Sequence, residues 1–575
     1  FGVVWHGEEG INYMRFGAGG TLQKHHAVAP ADIRSSMQAL IFAATTGVGL
    51  FLGTHFAGIV MDASSKEGKF QWPKVWLVPA VIVLAGILAL VLIFITLTGL
   101  TRVLKSVVLQ RAEGSFTRFV RRGGGLVLVH FACGAFQEFG AEFVAQAAQE
   151  SAPRLTLISN VDIFDGQTAT LLKNRHVLVK GNRIETVSDE PLAVVQTDNV
   201  TMIDGGGRVL MPGMIDAHWH ALFATMSMPK LLQSDLSYLT IVGARANRDA
   251  LMRGFTTVRD VGGNVFALKQ ATDEGIIDGP RIYPSGSYIS QTGGNGDFLG
   301  RHDTPTEPCR NLSYLEKSGV TIIADGVPEV TKRAREIMRA GASQIKVMAG
   351  GGVSSFYDPI DVTQYSLDEM KVIVAVEESY NTYVTVHAFN PYSIHQAIEA
   401  GVKCIEHGHL LDEAILNLMA EKGVWLSMQP ILDDEDAIPF PEGSENRKKF
   451  VQVTDGTDNV YRLAKKLKLK TAWGTDTLFD PELAKKQGKL VAKMQRWYAP
   501  HEILKMVTHD NAQLLRLSGP RDPYPGRLGV VEEGAYADLI LVDGNPLENL
   551  DLVADAEKNF VVIMKDGKTY KNTLG

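Results

Sequence analysis

Eight short apolar runs recur between Met214 and Trp473, with helix-like stretches such as 330–340 and 367–380 between several of them. The runs are Met214-Ile215-Asp216, Thr256 to Arg259, Arg281-Ile282-Tyr283, Gln344 to Met348, Tyr383 to Val386, Lys403-Cys404-Ile405, Val424 to Ser427 and Thr471-Ala472-Trp473. Alternating strand and helix patterns argue for parallel strands wrapped by helices. Eight such units close into a barrel whose chemistry sits at the C-terminal strand ends. The expected fold is α/β, a (β/α)8 TIM-type barrel over 213–519. Strand-rich segments with Gly/Asn turns flank it, at 155–161, 176–180 and 184–187 on one side and 537–542 and 560–567 on the other. They predict a small β-sandwich built from both ends of the module, 154–212 and 520–575. Gly205-Gly206-Gly207 reads as a turn between that sheet and the barrel. With 45% apolar and 21% charged residues, the chain is neither disordered nor collagen-like. A net charge of −7 gives no footprint for nucleic acid. Cys133, Cys309 and Cys404 form no CxxC pair, which argues against a disulfide scaffold or a cysteine-based zinc module.

The polar residues fall at telling places on this plan. His218-Trp219-His220 follows the first run. In extended chain, residues i and i+2 point to one side, so both imidazoles can reach one metal ion; packed or surface histidines are the ordinary alternative. Lys346 lies between Ile345 and Val347, and alternation aims it into the barrel, where a free ammonium is costly. It is either a strand-end lysine reaching for water or an amine that has added CO2 to become an anionic carbamate. His387 ends the fifth run, His407 the sixth, and Asp476, in Gly474-Thr475-Asp476, the eighth. Each has an ordinary packing role when taken alone, but their joint position at strand ends makes a metal-ligand set. Imidazole and carboxylate suit zinc, and the lack of usable thiols removes soft-metal and iron–sulfur centres. One divalent ion takes His218, His220 and Asp476, a second takes His387 and His407, and carbamylated Lys346 bridges them. Two such ions generate hydroxide near neutral pH. Gly350-Gly351-Gly352 lacks the Lys-Ser/Thr of a phosphate loop and reads as backbone brought close to the metals.

Ahead of this module the texture differs. Residues 36–60 are apolar apart from scattered polar positions such as Gln38 and His55, and 75–97 carry no charged residue. Each run is long enough to cross a hydrocarbon core, which takes about 20 residues. The alternative is a pair of buried helices. Read as spans, they form an α-helical transmembrane hairpin within 1–100, with membrane association through 36–97. Arg102, Lys105, Arg111, Arg118, Arg121 and Arg122 then place the C-terminal module in the cytoplasm, anchored to the inner membrane. Residues 101–153 read as a basic linker with one strand-like run.

Several motifs resemble known families. Met37 to Leu40, Gly58 to Asp62 and Trp72 to Val78 are similar to the last two helices of nucleoside–proton symporters of the major facilitator class. Residues 118–137 resemble one strand and turn of a trehalose-utilisation-type domain. Two such fragments ahead of a fuller module suggest a fused or mis-joined reading frame. Met211 to His220, Gln344-Ile345-Lys346, Val386-His387-Ala388, Ile405 to Gly408 and Gly474-Thr475-Asp476 resemble the amidohydrolase superfamily, in its imidazolonepropionase-like, prolidase-type branch of binuclear metal dipeptidases. Ser290 to Gly294, Gly351 to Val353, Thr508 to Ala512 and Gly534 to Leu539 extend the likeness over 154–575. The resemblance implies hydrolysis of a small-molecule amide, a dipeptide or N-acyl amino acid, by a metal-bridging hydroxide, with Asp476 moving the proton. It also implies that Tyr365 lines the pocket and polarises the carbonyl. Asn295 stands where relatives often carry His; it donates a hydrogen bond but shuttles no proton. A homo-oligomer is expected. A cyclic-amide hydrolase or deaminase on the same metals, and a membrane-associated ligand-binding protein without catalysis, are the alternatives.

Overall fold

In this computed structural model the described residues are 154–574, except 196, 198 and 304–311. Before them only short strand backbones are described: an antiparallel meander of Gly2–Gly7, Gly10–Phe16 and Leu22–His25, and a pair formed by Ser65–Lys66 and Lys69–Phe70. The expected hairpin over 36–60 and 75–97 lies outside the described residues, as does the strand-like run at 118–137. Among the described residues, no helix is long and apolar enough to cross a membrane.

Eight parallel barrel strands succeed one another: Met214–Trp219, Phe255–Asp260, a third in two pieces, Ile345–Met348, Val384–Ala388, Cys404–His407, Trp425–Met428 and Thr471–Trp473. All are buried. The third differs from the single run read in the sequence. Arg281–Pro284 pairs with the second strand, whereas Tyr288–Ser290 pairs with the fourth. The step between them passes through Gly286 at φ +68°, a conformation that favours glycine. A short strand unforeseen in the sequence, Thr321–Ile323, covers the other flank of Tyr288–Ser290. Helices pack outside with capped ends. Leu367–Ser379 starts at a capping box of Ser366 and Glu369, and Pro391–Ala400 and Glu413–Lys422 end on left-handed Gly401 and Gly423.

The seam between the first and last barrel strands is stitched by one side chain. Asn511 donates to the carbonyls of Ile215 (2.7 Å) and Trp473 (2.8 Å), and its amide oxygen accepts the Trp473 N–H (3.0 Å). The Asp476 N–H adds a bond to the His218 carbonyl at 2.8 Å.

The flanking segments form one continuous seven-stranded sheet, where two facing sheets were expected. Its order is Lys568–Asn572, Phe560–Lys565, Leu539–Val542, Val200–Pro212, Leu155–Ile163, Leu172–Lys180 and Arg183–Ser188. The sheet curls until its far edge returns to its middle, where the Ile184 N–H bonds to the Ala535 carbonyl at 3.0 Å. The fold encloses an apolar core that includes Ile158, Val177, Leu539 and Val562. Gly205-Gly206-Gly207 is not a turn between sheet and barrel. It lies inside strand Val200–Pro212, where Gly206 (φ +58°) and Gly207 (φ +77°) bend the strand and a Cβ on Gly205 would strike Val161. Arg281 ties this sheet to the barrel through Asp538 (3.1 Å) and Asp566 (2.7 Å).

These contacts set the expected response of stability to substitution at two positions. Asn511→Leu leaves three buried backbone groups at the seam without a partner and should cost about 3 kcal/mol in urea unfolding; an unchanged midpoint would contradict the stitching role. Glu377, inside helix Leu367–Ser379, is buried with neither carboxylate oxygen hydrogen-bonded among the described residues, and burial pushes it up to about 9. The folded chain thus holds a proton that the unfolded chain releases near pH ~4.3. This contribution weakens folding as pH rises from about 4 to about 9. Glu377→Met should therefore gain on the order of 3 kcal/mol at pH 8 and little near pH 4, read from urea midpoints at the two pH values.

Candidate active site

At the mouth of the barrel, the side chains stand on a charged layer. Arg259, on the second strand, is wholly buried. Its guanidinium donates to the Ala217 carbonyl (2.6 Å), the Tyr383 hydroxyl (3.2 Å), Ser427 Oγ (3.1 Å) and Glu406 Oε1 (2.6 Å). The other Glu406 oxygen meets His218 Nδ1 at 2.7 Å. Burial alone would raise the Glu406 pKa, but Arg259 and His218 outweigh it and hold the carboxyl well below the usual range. A carboxylate only accepts, so Nδ1 of His218 carries the proton and Nε2 faces the mouth of the barrel.

The other three histidines share the same pattern. His220 Nδ1 faces the Gly262 carbonyl at 3.4 Å, His387 Nε2 the Gly351 carbonyl at 3.1 Å, and His407 Nδ1 the Gln429 amide oxygen at 2.7 Å. Each ring has one nitrogen facing an acceptor outside the proposed ligand set, the arrangement that orients metal-ligating histidines, and at His218 and His220 the other nitrogen, Nε2, is turned to Asp476. Burial pushes His387 down to about 3 and also lowers His220 and His407, so these rings are neutral. At His218 burial is outweighed by the Asp476 carboxylate, which raises it.

Asp476 joins the group from the eighth strand. Its Oδ1 lies 3.2 Å from Nε2 of both His218 and His220, and its Oδ2 lies 3.8 Å from His407 Nδ1. Donor atoms of His218, His407 and Asp476 come within 4.8 Å of one another, and the His387 ring centre is 4.4 Å from that of His407. The structure thus brings five of the expected ligands together. The sixth, Lys346, is buried beside them on the fourth strand, and its amine makes no hydrogen bond or ion pair with the described residues. Burial lowers its pKa, favouring the neutral amine. This donor set, anchored imidazoles with a carboxylate and an unpartnered amine, fits divalent metal.

Asp216 braces the ligands from below. One oxygen accepts the N–H groups of His218 (3.0 Å) and Thr475 (3.1 Å), and the other accepts the Thr475 hydroxyl (2.7 Å). Gly474 packs so closely that a Cβ there would lie 2.5 Å from the His218 backbone nitrogen. No motif in the sequence marks Arg259, Glu406, Gln429 or Asp216 as functional. Period-two alternation did carry a signal for one of them, since Glu406 shares its strand face with Cys404, inside the barrel.

The two remaining expected residues part company. Asn295 lines the pocket, with its amide nitrogen 3.6 Å from Met348 Sδ. Tyr365 does not line it. Its hydroxyl donates to the Ala324 carbonyl at 3.0 Å, and its ring is buried in the barrel core. A left-handed backbone (φ +64°), held by the bond from its N–H to Gln291 (2.7 Å), turns the side chain into the rim, so it polarises no carbonyl here. Tyr288 is the tyrosine in the pocket wall.

Residues 209–570 match the model of the amidohydrolase family, and residues 9–98 match that of the nucleoside H+ symporter family. Ochratoxinase of Aspergillus niger is 32% identical over 380 residues, covering 63% of this chain and 76% of that protein. A prolidase solved in complex with N-methylphosphonate-L-proline is 34% identical, with a TM-score of 0.66 over 73% of this chain and all (100%) of that one. A Xaa-Pro dipeptidase with methionine bound in its active site is 26% identical, with a TM-score of 0.62 over 73% of this chain and 100% of its own. With a barrel that gathers four histidines, a lysine and an aspartate at its strand ends, and a family model matched over most of its length, the chain belongs to the amidohydrolase family and is an amide-bond hydrolase.

Proposed function

We propose that the chain hydrolyses the amide bond of a dipeptide or N-acyl amino acid at a pair of divalent ions of the zinc type. His218, His220 and Asp476 would hold one ion and His387 and His407 the other, with a carbamate on Lys346 between them. The observation that carries this reading is the set of four anchored imidazoles, two of which, His218 and His220, turn their other nitrogen to Asp476. The names of the relatives, an ochratoxinase, a prolidase and a Xaa-Pro dipeptidase, support the same bond type. When bound, such ions supply Lewis acidity for the carbonyl and acidify water.

The chain's own groups do the rest. Asp476 stays ionised because His218 and the other imidazoles outweigh burial, so it is ready to accept a proton from water and hand it to the leaving nitrogen. Glu406, by holding His218 Nδ1–H, fixes which nitrogen His218 offers. Lys346, with its amine kept neutral by burial, is the form that adds CO2, forming an N–C bond and releasing one proton. Residues 36–97, read as a membrane hairpin, would anchor this module on the cytoplasmic side; the symporter match over 9–98 supports that reading.

Asp476→Asn should keep most of the bound metal while turnover falls by about 10²–10⁴-fold. Metal analysis beside amide-cleavage assays checks this, and near-normal turnover would remove Asp476 from the proton path. Lys346→Ala should lose both ions, with partial recovery in short carboxylic acids that replace the bridging anion. Full metal occupancy without them would refute the carbamate.

A further inference from the structure

His387 is held differently from the other three imidazoles. His218, His220 and His407 turn Nδ1 to their outer partners, whereas His387 turns Nε2, to the Gly351 carbonyl at 3.1 Å. A carbonyl only accepts, so Nε2 carries the proton and the lone pair of the neutral ring is left on Nδ1. Gly351 belongs to the loop that follows the fourth barrel strand, Ile345–Met348. The orientation of the His387 ring therefore depends on what holds that loop.

The loop is folded onto itself and then clamped from outside. Within it, the Gly352 N–H donates to Asp358 Oδ2 (2.6 Å), and Ser355 Oγ donates to the Gly352 carbonyl (2.8 Å). Gly351 runs so close to Pro359 that a Cβ there would lie 1.7 Å from the Pro359 carbonyl oxygen. From outside, helix Glu445–Lys466, which follows the seventh strand, supplies two side chains nearly one turn apart. Lys449 Nζ donates to the carbonyls of Gly352 (3.0 Å), Ser355 (3.3 Å) and Asp358 (2.7 Å). Asn446 Nδ2 donates to those of Val353 (2.6 Å) and Ser355 (3.4 Å). An ammonium has three N–H groups, so the whole donor capacity of Lys449 is committed to this one loop.

We infer that Lys449, seconded by Asn446, is a positioning residue for the metal centre: it holds the loop from Gly351 to Asp358 so that the Gly351 carbonyl fixes His387 with Nδ1 as its ligand atom. The inference rests on the metal-hydrolase reading above, and it gives a role there to a helix that contributes no ligand of its own. Without the ammonium, three loop carbonyls lose their common donor. The Gly351 carbonyl then loses its fixed place, and with it goes the restraint on which nitrogen His387 protonates and where its ring points.

Two measurements on the full-length chain test it. In the first, zinc is titrated into the metal-free chain in bicarbonate buffer against a competing chelator. Lys449→Met should weaken the ion assigned to His387 and His407 by about 10–100-fold and leave the other unchanged. With His387→Ala already in place, the same substitution should alter binding of the remaining metal by less than about twofold, because its path to the metal is gone. Asn446→Ala should act on the same ion by a smaller factor. Lys448→Met, which removes only an exposed pair with Glu445 on the same helix, should act on neither. In the second measurement, nitrogen NMR of labelled histidines in the metal-free chain should show His387, identified by its loss in His387→Ala, as the Nε2–H tautomer, and as a mixture of tautomers in Lys449→Met. If Lys449→Met does not fold, Asn446→Ala carries both measurements. Undiminished binding of both ions by the two variants, weakening that is equal with and without His387, or an unaltered His387 tautomer would overturn the inference and leave the metal reading in place. If the unsubstituted chain binds no zinc, the metal reading fails, and the tautomer comparison, made without metal, decides the inference by itself.

Discussion

The carboxylate of Glu406, wholly buried between the guanidinium of Arg259 and the imidazole of His218, is the contact on which the rest of the site depends. Barrels of this kind are usually filled by layers of branched apolar side chains. Here one layer is polar, with Arg259, Tyr383, Cys404, Glu406 and Ser427 meeting at the axis. Such a layer holds only while every charge is matched, because removing one partner of a buried pair typically costs about 3–5 kcal/mol. The same pairing that makes the layer tolerable also dictates the proton position on His218. Stability and the orientation of a reactive nitrogen are therefore set by one interaction.

Above that layer, geometry is enforced by strained backbone. His407 and Asp476 have positive φ, +76° and +48°, an uncommon conformation for residues other than glycine. Strict alternation would send His407 to the face opposite Glu406. The left-handed step at the end of its strand lets the ring swing over the barrel mouth, where Gln429 fixes it. Asp216 and the absence of a Cβ at Gly474 hold the first and eighth strands close enough for Asp476 to reach His218 and His220. Strain of this sort persists where surrounding bonds over-determine it, which is a mark of functional sites.

Charge and apolar surface are separated by depth. The floor carries the ionisable groups, and the walls carry the rings. Excluding water from such a mouth strengthens every electrostatic interaction at its base.

The barrel was legible in the sequence because its signals are local. Apolar runs, their period of two and the capping residues between them are written over a few neighbouring positions, and eight runs suffice to place His218, His220, Lys346, His387, His407 and Asp476 at strand ends. The broken third strand and the curl of the small sheet were not legible, since a glycine in a strand looks the same as a glycine in a turn until the neighbouring strands are known. Tyr365 failed for a similar reason: its residue type suited a pocket, but a left-handed φ fixed by Gln291 turned it into the rim. By itself the sequence determined which residues could serve as ligands and roughly where along the barrel they fall. Only the tertiary structure decided which nitrogen of each histidine is free and which residues brace them. Those choices are made by hydrogen bonds between positions as distant as His218 and Glu406, 188 residues apart, and no local pattern encodes such a distance.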